Sequence, residues 1–135
     1  MAAAELHAED RVHVVDSANL STGISLLILL AADLAAEGST LSIAHYDMRF
    51  LKPLDEDILK EVGERFQRII TVEDGVRNGG MGSAVLEWMS DHGYQPHLTR
   101  LGLPDEFVEQ GTVAQLHHLV GIDKEGIIRS LSAPH

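Results

Sequence analysis

The chain has 135 residues, 44% of them hydrophobic, which is enough for one domain with a packed core and too few for two. Its 10 Lys and Arg against 21 Asp and Glu give a formal charge of −11, and the basic residues are scattered. This balance disfavours nucleic acid and anionic lipid as partners, so neither is expected. The absence of cysteine excludes disulfides, thiolate catalysis and cysteine-ligated metals, and it fits a cytoplasmic location.

Strands and helices alternate along the predicted structure. Residues 1–10 are predicted to be a frayed terminus or an artificial boundary, and residues 11–135 a single domain. Strands are predicted at Val12–Val15, Leu41–Tyr46, Arg68–Glu73 and His97–Leu101. Helices are predicted over residues 20–36, after Asp55 as N-cap, over Ser83–His92, from a Thr112–Gln115 capping box to Gly121, and from Asp123 to about Leu131. This order predicts an α/β layer structure with a largely parallel sheet.

The predicted helix at residues 20–36 is apolar nearly all round, which is typical of a helix buried on more than one side. It is therefore expected to form a subunit or domain interface. Its most apolar segment, residues 24–32, falls well short of the roughly 20 residues that a membrane span needs. No basic segment followed by an apolar one marks a secretory signal at the N-terminus.

A glycine-rich turn connects the third strand to the next helix and contains Gly75, Gly79, Gly80 and Gly82. Backbone N–H groups at such a turn can hold an anion. However, the third glycine of a dinucleotide fingerprint is replaced by Val85, and no Gly-Lys-Ser/Thr of a P-loop occurs. The acidic residues just before the turn would also oppose a phosphate. A tight turn that lets the helix pack close to the sheet is therefore the favoured interpretation.

Three sets of side chains are candidates for chemical sites. Glu73 and Asp74 could act as acid and base, but neighbours on a strand point to opposite faces, so one of them is expected to bond the amides of the glycine turn or a group of a partner domain. His117 and His118 diverge on a helix and do not suit one metal. Ser83 lacks the Gly-x-Ser-x-Gly elbow. No catalytic, cofactor-binding or metal-binding residue is predicted.

Three strings resemble signatures of one enzyme family, the C-terminal domains of 1-deoxy-D-xylulose-5-phosphate synthases. They are Tyr46–Asp55 (YDMRFLKPLD), Ile70–Gly75 followed by Gly79–Val85 (ITVEDG and GGMGSAV), and Leu101–Gly111 (LGLPDEFVEQG). Their order and spacing also agree, and the similarity covers roughly residues 40–130. Before residue 40 the chain departs from the family, because Asp16–Asn19 stands where the family has a Gly-Ser/Thr or Gly-Pro turn.

The resemblance implies a transketolase C-terminal type of three-layer sandwich, with about five strands, mostly parallel and one antiparallel. A fifth strand is expected near residues 4–8, 76–79 or 103–108. The full synthases condense pyruvate with glyceraldehyde 3-phosphate and release carbon dioxide, using thiamine diphosphate and magnesium. The family's cofactor motif, Gly-Asp-Gly followed by Asn, is absent from this chain. The chain is therefore expected to be inactive alone, binding no cofactor itself.

The resemblance also implies partners, namely the remaining domains of the synthase and a second copy in a homodimer. The positions that match the family's signatures are expected to bond across domains or to order loops locally. They are Arg49, Lys52, Pro53, Glu73, Asp74, Gly79, Gly80, Gly82, Ser83, Pro104 and Asp105. Two alternatives remain open: a partner-docking domain of a 2-oxoacid dehydrogenase β subunit or a transketolase, and a free-standing module that binds a phosphate ligand.

Overall fold

Four parallel strands make up the sheet of this protein in the computed structural model, which describes residues 11–16 and 42–133, with side chains from residue 43 onward. The strands lie side by side in the order β2-β1-β3-β4. The elements in chain order are β1 (Arg11–Asp16), β2 (Ser42–Asp47), α1 (Glu56–Arg65), β3 (Arg68–Val76), α2 (Met81–Asp91), β4 (His97–Leu103), α3 (Val113–Val120) and α4 (Lys124–Ser132).

The predicted alternation of strands and helices is confirmed across the described part of the chain. The helix expected at residues 20–36, with its proposed interface, and the terminus expected at 1–10 both lie outside the described residues. Asp16 was predicted to open a turn, but it is the last residue of β1 and pairs with Asp47 and Val72 on its two neighbouring strands. Because β1 pairs with a strand on each side, it extends past the apolar run Val12–Val15.

The strands β3 and β4 are both longer than the sequence predicts. The pairing of β3 with β4 shifts register between Val72 and Val76, and beyond this irregularity Val76 pairs with Leu103. The bulge carries β3 past Glu73 and β4 past Leu101. A bulge leaves no clear trace in hydrophobic patterning, which explains the error.

The expected fifth, antiparallel strand is not found where the structure describes residues 76–79 and 103–108. Val76 and Leu103 instead end β3 and β4, and the residues after them form turns and loops. The third expected place, residues 4–8, lies outside the described residues. All four described strands run parallel.

Alternate residues of β3 face two separate cores, as strand geometry requires. Ile69 packs towards α1 and α2, whereas Ile70 and Val72 pack towards α4. The first core contains Met48, Leu59, Val62, Phe66, Ile69, Met81, Val85 and Met89, and the second contains Ile70, Val72, Ile122, Ile127 and Leu131. Helices thus cover both faces of the sheet, which confirms the three-layer sandwich.

Side-chain caps begin three of the helices at the predicted residues. The Asp55 carboxylate accepts from the Ile58 amide at 3.1 Å, and the Asp123 carboxylate accepts from the Gly126 amide at 2.9 Å. Thr112 and Gln115 form the full capping box, and Gly121 ends α3 in the left-handed conformation with φ 76°. Because caps depend on residues three apart, short patterns in the sequence are enough to predict them.

A buried arginine secures the last helix to the sheet. Arg68, at the start of β3, is 6% exposed, and its guanidinium donates to the backbone oxygens of Leu131, at 3.0 Å, and Ser130. Replacing Arg68 with Met keeps the aliphatic stem but leaves those carbonyls without donors. We expect Arg68→Met to lower the free energy of unfolding by about 1–3 kcal/mol in urea titrations. Arg129→Met, at an exposed position of α4, is the control, and equal losses for the two variants would contradict this role.

A tyrosine on β2 makes the stability of the fold depend on pH in the alkaline range. Tyr46 Oη donates to Glu61 Oε1 at 2.5 Å, and Glu61 also accepts from Arg65 at 2.6 Å. Burial, with Glu61 beside the phenol, raises the pKa of Tyr46 from 10.0 to about 12. The unfolded chain therefore loses this proton first, so the contribution of Tyr46 is present below pH 10 and disappears between about pH 10 and 12.

We expect the difference in unfolding free energy between the wild type and Tyr46→Phe to shrink across that pH range. Urea titrations at intervals from pH 8 to 12 measure it. A difference that stays constant over this range would show that the hydrogen bond with Glu61 does not hold the Tyr46 proton.

Candidate functional site

The carboxylate of Glu73 occupies the N-terminus of α2. Glu73 is 5% exposed, and its two oxygens accept from the amides of Met81, at 2.7 Å, and Gly82, at 3.0 Å. Helix N-termini leave such amides unpaired and favour negative charge. Glu73 therefore takes the place that a bound anion would take. The prediction that one of the paired carboxylates bonds the amides of the glycine turn is confirmed.

The same capping bonds explain why α2 begins at Met81 rather than at the predicted Ser83. Gly80 is the N-cap and carries no side chain to satisfy the first amides. Glu73, seven residues earlier in the chain, satisfies them instead. A cap supplied from a neighbouring strand is not visible in local sequence patterns, which cover only three or four residues.

Glycines let α2 approach the sheet more closely than any side chain would allow. A Cβ atom on Gly80 would lie 2.1 Å from the Val76 oxygen, and one on Gly82 would lie 2.5 Å from Thr71 Oγ1. Both distances are far inside van der Waals contact. The interpretation of the turn as a device for close packing of helix on sheet is confirmed.

Ser83 and Arg100 form hydrogen bonds with each other and with backbone groups of the glycine turn. Ser83 Oγ accepts from the Gly79 amide at 3.0 Å and from Arg100 Nη1 at 2.7 Å, and it donates to the Arg77 oxygen at 3.1 Å. Arg100 Nη1 also donates to the Arg77 oxygen at 3.0 Å. The serine hydroxyl therefore orders the turn, as expected of a serine at a helix N-terminus. Sequence reasoning did not single out Arg100, because strand alternation alone does not say which face a residue occupies.

The turn does not fit the diphosphate of the cofactor that the family resemblance implies. A diphosphate would need the amides that Glu73 already uses, and it would meet the negative charge of this buried carboxylate. Within the described residues, the glycine turn is the place where sequence analysis found a possible phosphate cradle. Its geometry argues against such a role.

Asp74 points away from Glu73, as predicted for neighbours on a strand. It is half-exposed and lies on the opposite side of the sheet from α2, with its Oδ2 3.6 Å from His117 Nε2. The next histidine, His118, instead places Nδ1 2.6 Å from Asp123 Oδ2. Asp123 is also the cap of α4. The two adjacent histidines thus contact carboxylates on different elements, which confirms that they diverge on the helix.

Hydrogen bonds also explain why the pKa of Asp123 is lowered. Burial raises the pKa of its carboxyl, but the Gly126 amide and His118 outweigh this effect and hold the pKa below its usual range. His118, Asp123 and Glu125 can bring one ligand atom each within 4.8 Å of one another. Because Asp123 already bonds Gly126 and His118, the cluster is explained by helix capping.

The loop after β2 carries Arg49, Lys52 and Pro53. Arg49 has a left-handed backbone with φ 48°, and Asp47 accepts both from its amide, at 3.1 Å, and from its Nε, at 3.2 Å. The Arg49 side chain is 74% exposed, and Lys52 and Pro53, joined by a cis peptide bond, are exposed as well. The loop borders an open cavity of about 290 Å³. Arg49 therefore orders its own loop through Asp47 and still faces outward.

The signature positions form three groups, each near or just after the carboxyl end of a strand. Arg49 is in the loop after β2, Gly80 is in the turn after β3, and Pro104 with Asp105 follows β4. Since parallel strands all end at one edge of their sheet, the three signature strings meet at the carboxyl edge. Sequence analysis recognised the strings but did not place them together. Across residues 11–16 and 42–133, no helix has the length and apolarity to cross a bilayer.

Comparison with known proteins gives a consistent family match. The model of the transketolase C-terminal domain matches residues 2–127. The 1-deoxy-D-xylulose-5-phosphate synthase of Bacteroides fragilis is 51% identical over 109 residues, which are 81% of this chain and 17% of that protein. The synthase of Phocaeicola vulgatus is 60% identical over 90 residues, 67% of this chain and 14% of that protein. The chain thus spans less than a fifth of the length of these relatives.

A solved structure supports the same fold. A protein described as a split gene transketolase, an inactive beta4 tetramer, superposes with a TM-score of 0.74 at 26% identity. The match covers 93% of this chain and 39% of the other.

Proposed function

Because this chain belongs to the transketolase C-terminal domain family, we propose that it is the C-terminal structural domain of a 1-deoxy-D-xylulose-5-phosphate synthase. The observation that carries the proposal is the 51% identity to one such synthase over 81% of the chain. The lower identity of 26% to the split gene transketolase favours a synthase over a transketolase. The phosphate-binding alternative is disfavoured by Glu73, which fills the glycine turn.

In this proposal the whole polypeptide condenses pyruvate with glyceraldehyde 3-phosphate and releases carbon dioxide. Thiamine diphosphate and magnesium supply that chemistry from sites outside this chain. The domain contributes a rigid body whose polar groups in the glycine turn bond one another. Its partners are the remaining domains of the synthase and a second copy of the polypeptide, in the cytoplasm.

An activity comparison tests the proposal. The full-length polypeptide that carries this sequence and the 135-residue chain alone are assayed with pyruvate, glyceraldehyde 3-phosphate, thiamine diphosphate and magnesium. We expect carbon dioxide release from the full-length polypeptide and none above background from the chain alone. A full-length polypeptide that transfers two-carbon units between sugar phosphates without decarboxylating pyruvate would identify a transketolase and overturn the proposal.

A further inference from the structure

Exposed apolar side chains concentrate at the carboxyl edge of the sheet. In the part of the chain with described side chains, seven large hydrophobic residues are exposed. Five of them lie at the ends of β2, β3 and β4, on the segments that follow these ends, or at the first residue of α3: Phe50, Leu51, Val76, Phe107 and Val113. We call these five residues the carboxyl-edge patch. Phe107 and Phe50 protrude most, at 106% and 68% exposure.

At the opposite edge, the structure describes the segments that lead into β3 and β4 but not those that lead into β1 and β2. Segments 66–67 and 92–96 lead into β3 and β4, and neither contains a large exposed hydrophobic side chain. The remaining two of the seven, Leu86 and Leu119, lie on α2 and α3, and single exposed leucines are ordinary. Among the segments that the structure describes, the exposed apolar residues thus favour the carboxyl edge.

The patch extends from one outer strand of the sheet to the other, and part of it is pre-ordered. β2 and β4 are the outer strands, so their ends are three strand spacings apart, about 14 Å. The hydrogen bonds that Arg49 donates to Asp47 hold the backbone of Arg49, next to Phe50, in a strained conformation. At the other side, α3 begins at Val113 and buries none of its residues. Strain and exposure at one edge are typical of a surface shaped for a partner.

We propose that the carboxyl-edge patch is the surface on which the upstream catalytic domains of the synthase polypeptide dock. The inference rests on the proposed function and assigns a surface to it. Its support is the length of chain outside this domain, because the aligned segments make up only 14 and 17% of the relatives. Most of the polypeptide therefore remains to cover the patch.

Thiol labelling of the full-length polypeptide tests the docking surface. The domain has no cysteine, so single variants Phe50→Cys, Phe107→Cys and Leu86→Cys can be followed by mass spectrometry of their own peptides. Leu86, at 43% exposure on α2, is the control. The exposures in the domain predict faster labelling at 107 than at 86. Docking reverses this order, and we expect labelling at positions 50 and 107 to be at least about tenfold slower than at 86.

Faster labelling at 50 and 107 than at 86 in an active full-length synthase would overturn the docking surface and leave the proposed function intact. A full-length polypeptide without synthase activity would overturn the proposed function, whatever the labelling pattern. Because replacing phenylalanine with the smaller cysteine itself alters the patch, a second pair of variants tests whether the apolar patch is needed for docking. Phe107→Asp is expected to make the domain separable by limited proteolysis at least tenfold faster than Leu86→Asp does, and equal rates would contradict the proposal.

Discussion

Gly80→Ala is expected to lower the free energy of unfolding by about 3 kcal/mol, one of the two largest effects of a single substitution anticipated for this domain. The new Cβ would lie 2.1 Å from the Val76 oxygen and 2.3 Å from Glu73 Oε2. Neither group can move aside easily, because Val76 is paired in the sheet and Glu73 holds two amides of α2. Urea titration followed by circular dichroism measures the loss.

Gly79→Ala is the matched control, one residue earlier in the same turn. Gly79 has φ 80°, which an alanine adopts at a cost of about 1 kcal/mol, but a Cβ there meets nothing within 4 Å. The difference between the two variants isolates the close contact from the backbone conformation. A loss at Gly79 as large as that at Gly80 would mean that backbone conformation, and not the approach of α2 to the sheet, explains this glycine turn.

Glu73→Ala is expected to cost about 2–4 kcal/mol, since it leaves the buried amides of Met81 and Gly82 without acceptors. Removing the carboxylate also removes a negative charge that the N-terminus of α2 favours. Equilibrium unfolding in urea measures the effect, and hydrogen exchange at the Met81 amide reports it locally. We expect that amide to lose its protection together with the loss of global stability.

Asp74→Asn provides the control for Glu73, because the neighbouring carboxylate is half-exposed and lies 3.6 Å from His117 on α3. Its replacement is expected to change the unfolding free energy by less than about 0.5 kcal/mol. Comparable losses at the two positions would contradict the assignment of Glu73 as the internal cap of α2.

Features set by neighbours in the chain were predictable from the sequence. The caps at Asp55, Thr112 and Asp123 depend on residues three apart, and each lies where the pattern placed it. The α/β layer architecture with its parallel sheet followed from the alternation of strands with helices. These elements were accessible because their physical causes act within one turn of helix or a few residues of strand.

Features set by contacts between strands were not predictable. The bulge between Val72 and Val76 lengthened β3, and no pattern along one strand reveals how its partner is paired. Sequence reasoning expected one of two carboxylates to bond the glycine turn, but only the sheet determines that Glu73 faces α2 and Asp74 does not. For the same reason Arg100 was not singled out, although it bonds both Ser83 and the Arg77 oxygen.

The family resemblance supplied what residue chemistry could not. Neither the glycine turn nor the histidines indicate a reaction, and in the structure both are explained by internal hydrogen bonds. The three signature strings indicated a synthase domain, and the parallel sheet then brought those strings to one edge. That edge also carries the carboxyl-edge patch, so the signatures and the exposed apolar residues fall in the same part of the fold.

The most direct test is the mass of the native polypeptide in the cell from which this sequence comes, measured by immunoblot with an antibody to the domain and confirmed by peptide mass spectrometry. A structural domain of a synthase predicts a polypeptide several times larger than 14.7 kDa, with this sequence at its C-terminus. A native polypeptide of 14.7 kDa would contradict that assignment and leave a free-standing domain.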